Sequence, residues 1–383
     1  MRIVRAVLGD CSQCPIGINP GFAIQICKLF RAMKVALLIA FNGTAFCGNV
    51  FQPAGGLTVE GALLDGLQKL GYVKADKTIR DIGLERAGRT DAGVSAECML
   101  YTVCLSRSIP EAPQFPLHNP RTINGLKASP LEPSSIYISA MGPATCLVFH
   151  FNRVLPPQIR VLGVMTALPE NFSPRHSCAA REYEYILGYN IPLDLCTKAN
   201  SAAQRFLGSN SFHNFCHWEK EQELVYNRQI YCSEVYVREN VCIFHVVGSA
   251  FLYHQVRYMA SMLAHIMAGL ERESIIEYLL TTEQLRPRRS FPLLPSQYLT
   301  FKCGWYHPPM GSRSFYCSTK AYEELVKHVL ANTGFQRSLL GHKFENEPLP
   351  IFHTININKK IPYQSLEQSD NHNENNTVRT VKS

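Results

Sequence analysis

Arg89 and Asp91 stand two residues apart inside Ala87-Gly88-Arg89-Thr90-Asp91-Ala92-Gly93-Val94-Ser95-Ala96. Glycines flank the charged pair, so the backbone can come close to a ligand while a guanidinium and a carboxylate are aimed outward. The same spacing also makes a plain surface ion pair worth little. Tyr183 and Tyr185 alternate along one segment, which places both on one face of a strand, as packing or as an aromatic wall. Arg257 and His254 open an apolar helical pattern, where a solvated arginine and a capping histidine are the ordinary reading. His213, Cys216 and His217 offer metal-ligand types, and Cys11-x-x-Cys14 is half of a zinc site with no second pair at matching spacing. Arg286, Arg288 and Arg289, around Pro287, suit either a solvated face or phosphate contacts.

The chain that must position these groups has 383 residues, 46% of them hydrophobic and 18% charged. That length predicts two domains of about 150 residues each, and the composition excludes global disorder. Lys plus Arg exceed Asp plus Glu by 38 to 30, a net charge of +8 that suits a polyanionic partner. The 14 cysteines have irregular spacings and read as reduced core hydrophobes, not a disulfide framework. The best apolar run, Val35 to Phe41, falls far short of the roughly 20 residues of a membrane span, so no membrane partner is expected. Asp10, Cys14 and Pro15 interrupt any signal pattern, and residues 1–32 read as an extension before Met33.

Hydrophobic periodicity supplies the elements. Lys34 to Phe41 is a well-buried strand, followed by a turn at Asn42-Gly43. Thr58 is the N-cap of a helix carrying Val59, Ala62, Leu63, Leu67 and Leu70, with Gly71 as C-cap. Residues 98–105 return to strand. Seven prolines between 106 and 147 predict an irregular insertion, and regular structure resumes at Ile159 to Leu168. Strands are predicted at Glu182–Tyr189, Ile230–Arg238 and Val241–Ser249, with helices near 197–207, 254–270 and 320–331. The domain boundary falls near Pro169 to Pro174. The expected organisation is an α+β domain over 33–172, a second over 173–335, and a tail over 336–383 that is disordered from 359.

Four segments in order resemble the TruA family of tRNA pseudouridine synthases. Gly88-Arg89-Thr90-Asp91-Ala92-Gly93-Val94-Ser95-Ala96 is similar to its catalytic loop, and Phe41-Asn42-Gly43-Thr44 to its Tyr-Asp-Gly-Thr turn. Arg181-Glu182-Tyr183-Glu184-Tyr185 resembles its Arg-x-Tyr-x-Tyr strand, and the segment from Ala250 to Met259 its Phe-Leu-x-His-x-Val-Arg-x-Met helix start. The resemblance covers about residues 33–335. Asn152 to Leu162 and Ser249 to Arg257 resemble the eukaryotic branch that modifies uridines 38 and 39 of the anticodon stem-loop. The stretch from Gly208 to Phe215 is similar to the family's Gly-x-His-x-Phe-x-x-Phe segment, which favours packing over zinc for His213, Cys216 and His217.

The resemblance implies two ferredoxin-like (RRM-like) halves with their sheets joined around a central basic cleft. It implies a homodimer acting on tRNA, without cofactor or metal, in the cytoplasm or nucleus. Asp91 becomes the nucleophile and Arg257 the cation that keeps it ionised against desolvation. Arg89 would flip the target base and contact phosphate. Tyr183 would stack on the uracil, its hydroxyl placed as a general base. Tyr185, His254 and Gln255 would join the substrate site. The rival readings are a relative acting at other RNA positions and a non-catalytic RNA binder on the same scaffold. Phe41-Asn42, Cys47-Gly48-Asn49 and Ser209-Asn210-Ser211 depart from the family pattern at the pocket rim.

Overall fold

The structure is a computed structural model that describes residues 33–106, 109, 121–132, 136–139, 143–166, 168–169, 171–217, 225–281, 291–308 and 315–318. Residues 1–32 with Cys11 and Cys14, the arginines 286, 288 and 289, the helix expected at 320–331 and the tail from 336 lie outside the described residues.

The strand expected at the start is β1 (Met33–Phe41); it is an interior strand between β3 and β6, and Val35 to Ile39 are wholly buried. α1 (Val59–Lys69) follows. Its N-cap Thr58 accepts from Gly61 N at 3.2 Å, and Gly71, at φ +69°, lies just beyond the helix in the left-handed region. β2 (Glu85–Arg86) and β3 (Ser95–Leu105) bracket the loop that carries Arg89 and Asp91. The proline-rich insertion is not irregular throughout. It contains β4 (Ser129–Pro130), β5 (Ile136–Ser139) and α2 (Pro143–Val154). Pro143 opens α2 rather than breaking it, because the first turn of a helix has no use for its N–H.

β6 (Ile159–Met165), β7 (Cys178–Tyr189), α3 (Leu193–Gln204), β8 (Gly208–Ser211), β9 (Asn227–Arg238) and β10 (Val241–Gly248) come next. α4 (Gln255–Met267), α5 (Ile275–Thr281), β11 (Leu299–Tyr306) and β12 (Phe315–Ser318) complete the described elements. The strands form one mixed sheet in the order β5-β12-β6-β1-β3-β11-β7-β10-β9-β8, with β2 on β3 and β4 on β11.

β11 has no counterpart in the sequence reading, and it joins the two parts of the sheet. It runs parallel to β3 and antiparallel to β7, and Phe301 is in register with Ala96 on one side and Tyr183 on the other. The end of the Asp91 loop and Tyr183 therefore lie two strand spacings apart, about 10 Å. Alternation puts Tyr183 and Tyr185 on one face of β7 and Glu182 and Glu184 on the other. That second face carries an ionic network. Glu182 accepts from Arg121 Nη2 (3.0 Å), His245 Nε2 (3.0 Å) and Trp305 Nε1 (2.9 Å). Glu184 accepts from Arg238, Tyr236 and Lys302. No helix among the described residues is long and apolar enough to cross a membrane.

Candidate active site

The Asp91 loop is clasped from several sides. Gly43 lies so close that a β-carbon there would sit 1.9 Å from the Val94 carbonyl oxygen, and its N–H donates to Ser95 Oγ at 3.0 Å. A β-carbon on Gly93, which has φ +85°, would meet Ser296 Oγ at 2.6 Å. Glycine is required at both places, at the first by close approach and at the second also by the left-handed backbone. Arg181 reaches across from β7. One of its terminal nitrogens donates to Cys178 O (3.1 Å) and Ser249 O (2.9 Å), the other to Ala87 O (3.1 Å) and Arg175 O (2.7 Å). A single guanidinium thus ties the start of the Asp91 loop to the segment that leads into α4.

That segment delivers the partners of Asp91. Arg257 Nη1 donates to Asp91 Oδ2 at 2.9 Å, and the Arg257 Nε–H is held by Leu294 O at 2.8 Å. His254 Nε2 lies 3.2 Å from the same oxygen. His254 is the N-cap of α4 with φ 64° and ψ 5°, a left-handed conformation that costs a β-bearing residue free energy and is concentrated at functional sites. Its Nδ1 is buried and meets no hydrogen-bond partner among the described residues.

Burial pushes the Asp91 carboxyl up. The hydrogen bond and charge of His254, then those of Arg257, outweigh it and hold the group below the usual carboxylate value. The side chain remains 25% exposed, so the charged oxygens are partly screened yet open to a ligand. No Arg89–Asp91 ion pair is formed: Arg89 is exposed, and Asp91 pairs with Arg257 instead.

Tyr183 is packed edge-to-face between Phe251 (5.2 Å) and Phe301 (5.3 Å). Its hydroxyl reaches the loop, since a β-carbon on Gly88 would lie 4.0 Å from it. Burial drives its phenol well above the ordinary value. At neutral pH the group is a hydroxyl, not a phenolate, so it is a poor proton acceptor on its own. Two other expected substrate residues are turned to packing. Tyr185 is 1% exposed and its hydroxyl donates to Pro295 O at 3.0 Å. Gln255 is also 1% exposed; its Oε1 accepts from Leu252 N at 2.8 Å, capping the turn into α4.

Tyr253 has no place in the sequence reading, but it is 52% exposed and its ring lies 3.8 Å from that of His254. His217 stands edge-on to it at 5.2 Å. The detectable signal was an aromatic residue immediately before His254. His213 packs on Tyr226 at 4.5 Å and Cys216 is buried, so the three metal-ligand types near 215 pack into the structure. Among the described residues only Cys232, Glu234 and His245 cluster as metal ligands could. There both imidazole nitrogens meet carboxylates, Glu182 at 3.0 Å and Glu234 at 2.9 Å, which favours an imidazolium clamp over a metal ligand.

A carboxylate held ionised by a guanidinium and an imidazole, in a loop at a seam of a mixed sheet, is an arrangement suited to nucleophilic or acid–base chemistry on an α+β scaffold. The family model for tRNA pseudouridine synthase matches residues 202–305. The tRNA pseudouridine synthase A of Methanococcoides burtonii is 30% identical over 82% of this chain and 98% of its own length. The chain belongs to this family, the TruA family of tRNA pseudouridine synthases. The tRNA pseudouridine(38/39) synthase of Mus musculus is 34% identical over 65% of this chain and 50% of its own length, and that of Saccharomyces cerevisiae 28% over 79% and 64%. The chain spans about half the length of the mammalian relatives it matches.

Proposed function

We propose that this chain isomerises uridine to pseudouridine in tRNA, at positions 38 and 39 of the anticodon stem-loop. The observation that carries the reading is Asp91, held ionised by Arg257 and His254 in a loop spelled as the family's catalytic loop. The relatives named for positions 38/39 support the choice of target.

The reaction breaks the C1′–N1 bond, forms a C1′–C5 bond, gives N1 a proton and releases the C5 proton to water. Atoms and electrons balance with no oxidant, reductant or co-substrate. The protein's task is to open the glycosidic bond and to hold the free base while it turns. Asp91 is the nucleophile, and its two cationic or hydrogen-bonding neighbours keep the lone pairs available in a partly desolvated pocket. Arg89, exposed beside it, takes the place of the flipped uridine and contacts phosphate, at a flipping cost of a few kcal/mol. Tyr183 offers its ring to the uracil, and its hydroxyl passes a proton only as part of a relay.

The sheet seam at β11 supports an arrangement of two ferredoxin-like halves, 33–172 and 173–335, around a basic cleft. A homodimer with one tRNA across both subunits, working in cytoplasm or nucleus, completes the proposal. The test is incubation with unmodified tRNA followed by position-resolved mapping of pseudouridine. Product at 38 and 39 supports the reading, product elsewhere moves the specificity to another site, and tRNA binding without product indicates a non-catalytic binder.

A further inference from the structure

The amide of Asn49 is wholly buried, directly beneath the Asp91 loop. Its Nδ2 donates to Gly88 O at 2.9 Å and to Tyr101 Oη at 3.3 Å, and its Oδ1 accepts from Thr90 N at 3.0 Å. The two loop bonds go to the carbonyl before Arg89 and the N–H after it. An amide that satisfies both groups acts as a one-residue strand partner, and it fixes the backbone of Arg89 between two anchored peptides.

Asn49 is itself anchored. Its carbonyl accepts from Glu60 N at 3.1 Å, in the first turn of α1, and the Gly48 carbonyl accepts from Val59 N at 3.4 Å. Gly48, at φ +102°, packs its α-carbon under Thr90 and Asp91, where a β-carbon would lie 3.3 Å from Thr90 O. The chain of support runs from the N-terminus of α1 through Gly48-Asn49 to the peptides that aim Arg89 and Asp91.

We propose that Asn49 is a positioning residue for the reaction, acting through the Gly88 and Thr90 peptides to hold Arg89 and Asp91 in register with the bound nucleotide. The inference rests on the proposed activity. Misplacing a reacting group by about 1 Å costs on the order of a hundredfold in rate. Binding of the tRNA body depends on phosphate contacts spread over a wide surface and should be nearly insensitive to it.

A matched control exists in the same molecule. Asn152, on α2, makes a comparable pair of backbone bonds to one residue of β6, Nδ2 donating to Val161 O (2.9 Å) and Oδ1 accepting from Val161 N (2.8 Å), and it bonds no residue of the Asp91 loop. The experiment compares Asn49→Leu, the smaller Asn49→Ser, and Asn152→Leu in the full chain. Single-turnover pseudouridine formation, tRNA affinity and thermal midpoint are measured for each. The Asn49 variants should lose about tenfold to a hundredfold in rate, with tRNA affinity within about twofold of wild type, because the phosphate contacts remain. Asn152→Leu should lower the thermal midpoint while keeping its rate. Folded Asn49 variants with wild-type rates would overturn the inference, as would an equal rate loss in Asn152→Leu. If wild type forms no pseudouridine on any tRNA, the proposed activity falls first and this role with it. An active wild type with unimpaired Asn49 variants removes this role alone.

Discussion

Asp91 and Arg257 are 166 residues apart in the chain and 2.9 Å apart in space. The loop before β3 supplies the carboxylate and the first turn of α4 supplies the guanidinium. Neither segment has a complete site by itself. The contact exists because β11 sits between β3 and β7, and because Arg181 links Ala87 to Ser249 across that seam.

Asp91 is the group whose loss should separate chemistry from binding. Asp91→Asn keeps the shape and removes the charge, and Asp91→Ala removes both. Either should reduce pseudouridine formation by about a thousandfold or more, the scale seen when a nucleophile is deleted. Filter binding to unmodified tRNA should change by less than about threefold, since most affinity comes from phosphate contacts elsewhere. Substantial turnover by Asp91→Ala would remove the carboxylate from the mechanism.

The ionisation of Asp91 has a sign that can be checked in the stability of the fold. Its folded pKa lies below the ordinary 3.8, because His254 and Arg257 together outweigh burial. A depressed carboxylate stabilises the fold fully above its unfolded value and loses that contribution as pH falls through the folded value. Wild type should therefore exceed Asp91→Asn in stability by a constant margin above about pH 5, and the two should converge as pH drops below 3.8. Urea unfolding across that range reads the difference directly. Arg257→Met should raise the Asp91 carboxyl in an NMR titration; an unchanged titration would mean the guanidinium does not act on it.

Much of this site was legible in the sequence because it is written in local letters. The glycines of the Asp91 loop, Thr58 before α1 and the apolar period of α4 each act over a few residues, and local sterics fix them. What was hidden depends on long-range partners. Tyr185 and Gln255 have the right types for an RNA site, yet the Pro295 carbonyl and the turn at Leu252 take their polar atoms. Arg181 was visible only as a motif letter, and its four carbonyl partners come together only in the folded chain. β11 was missed because Thr300, Lys302 and Gly304 interrupt its apolar run, and its place is defined by the strands on either side more than by its own pattern. Pro143 misled in the opposite direction, being read as a breaker where it begins a helix.

The face of the sheet opposite Tyr183 should set the pH range of stability. Burial would raise Glu182, but hydrogen bonds from His245 and Arg121 bring it down to about 2, from 4.5. Burial would lower His245, but its bonds to Cys232 and Glu182 raise it to about 10, from 6.5. The Glu182 contribution is complete above pH 4.5 and fades toward 2, and the His245 contribution is complete below 6.5 and fades as pH rises through 10. Both are whole only between 4.5 and 6.5. Wild type should lose stability steadily above that window, and His245→Gln should lack the alkaline slope. Breaking the pair with Glu182→Ala should cost about 3–5 kcal/mol, the scale for stranding a buried charge, measured by urea unfolding at pH 6. An alkaline slope identical in His245→Gln would assign the titration to another group.

Arg181 should matter to rate through geometry, because it touches four carbonyls and no part of the proposed reacting centre. A lysine carries the charge but presents its donors from one point, so it cannot span the Ala87 and Ser249 carbonyls together. Arg181→Lys and Arg181→Ala should each slow single-turnover pseudouridine formation by about tenfold to a hundredfold, with tRNA affinity little changed. Added guanidinium ion can occupy the space left in Arg181→Ala and rejoin the two loops, so it should recover part of the lost rate in that variant and none in Arg181→Lys, where the lysine stem fills the site. Equal rates for wild type and Arg181→Lys would show that charge alone suffices at this position and that the planar fork does not hold the Asp91 loop in place.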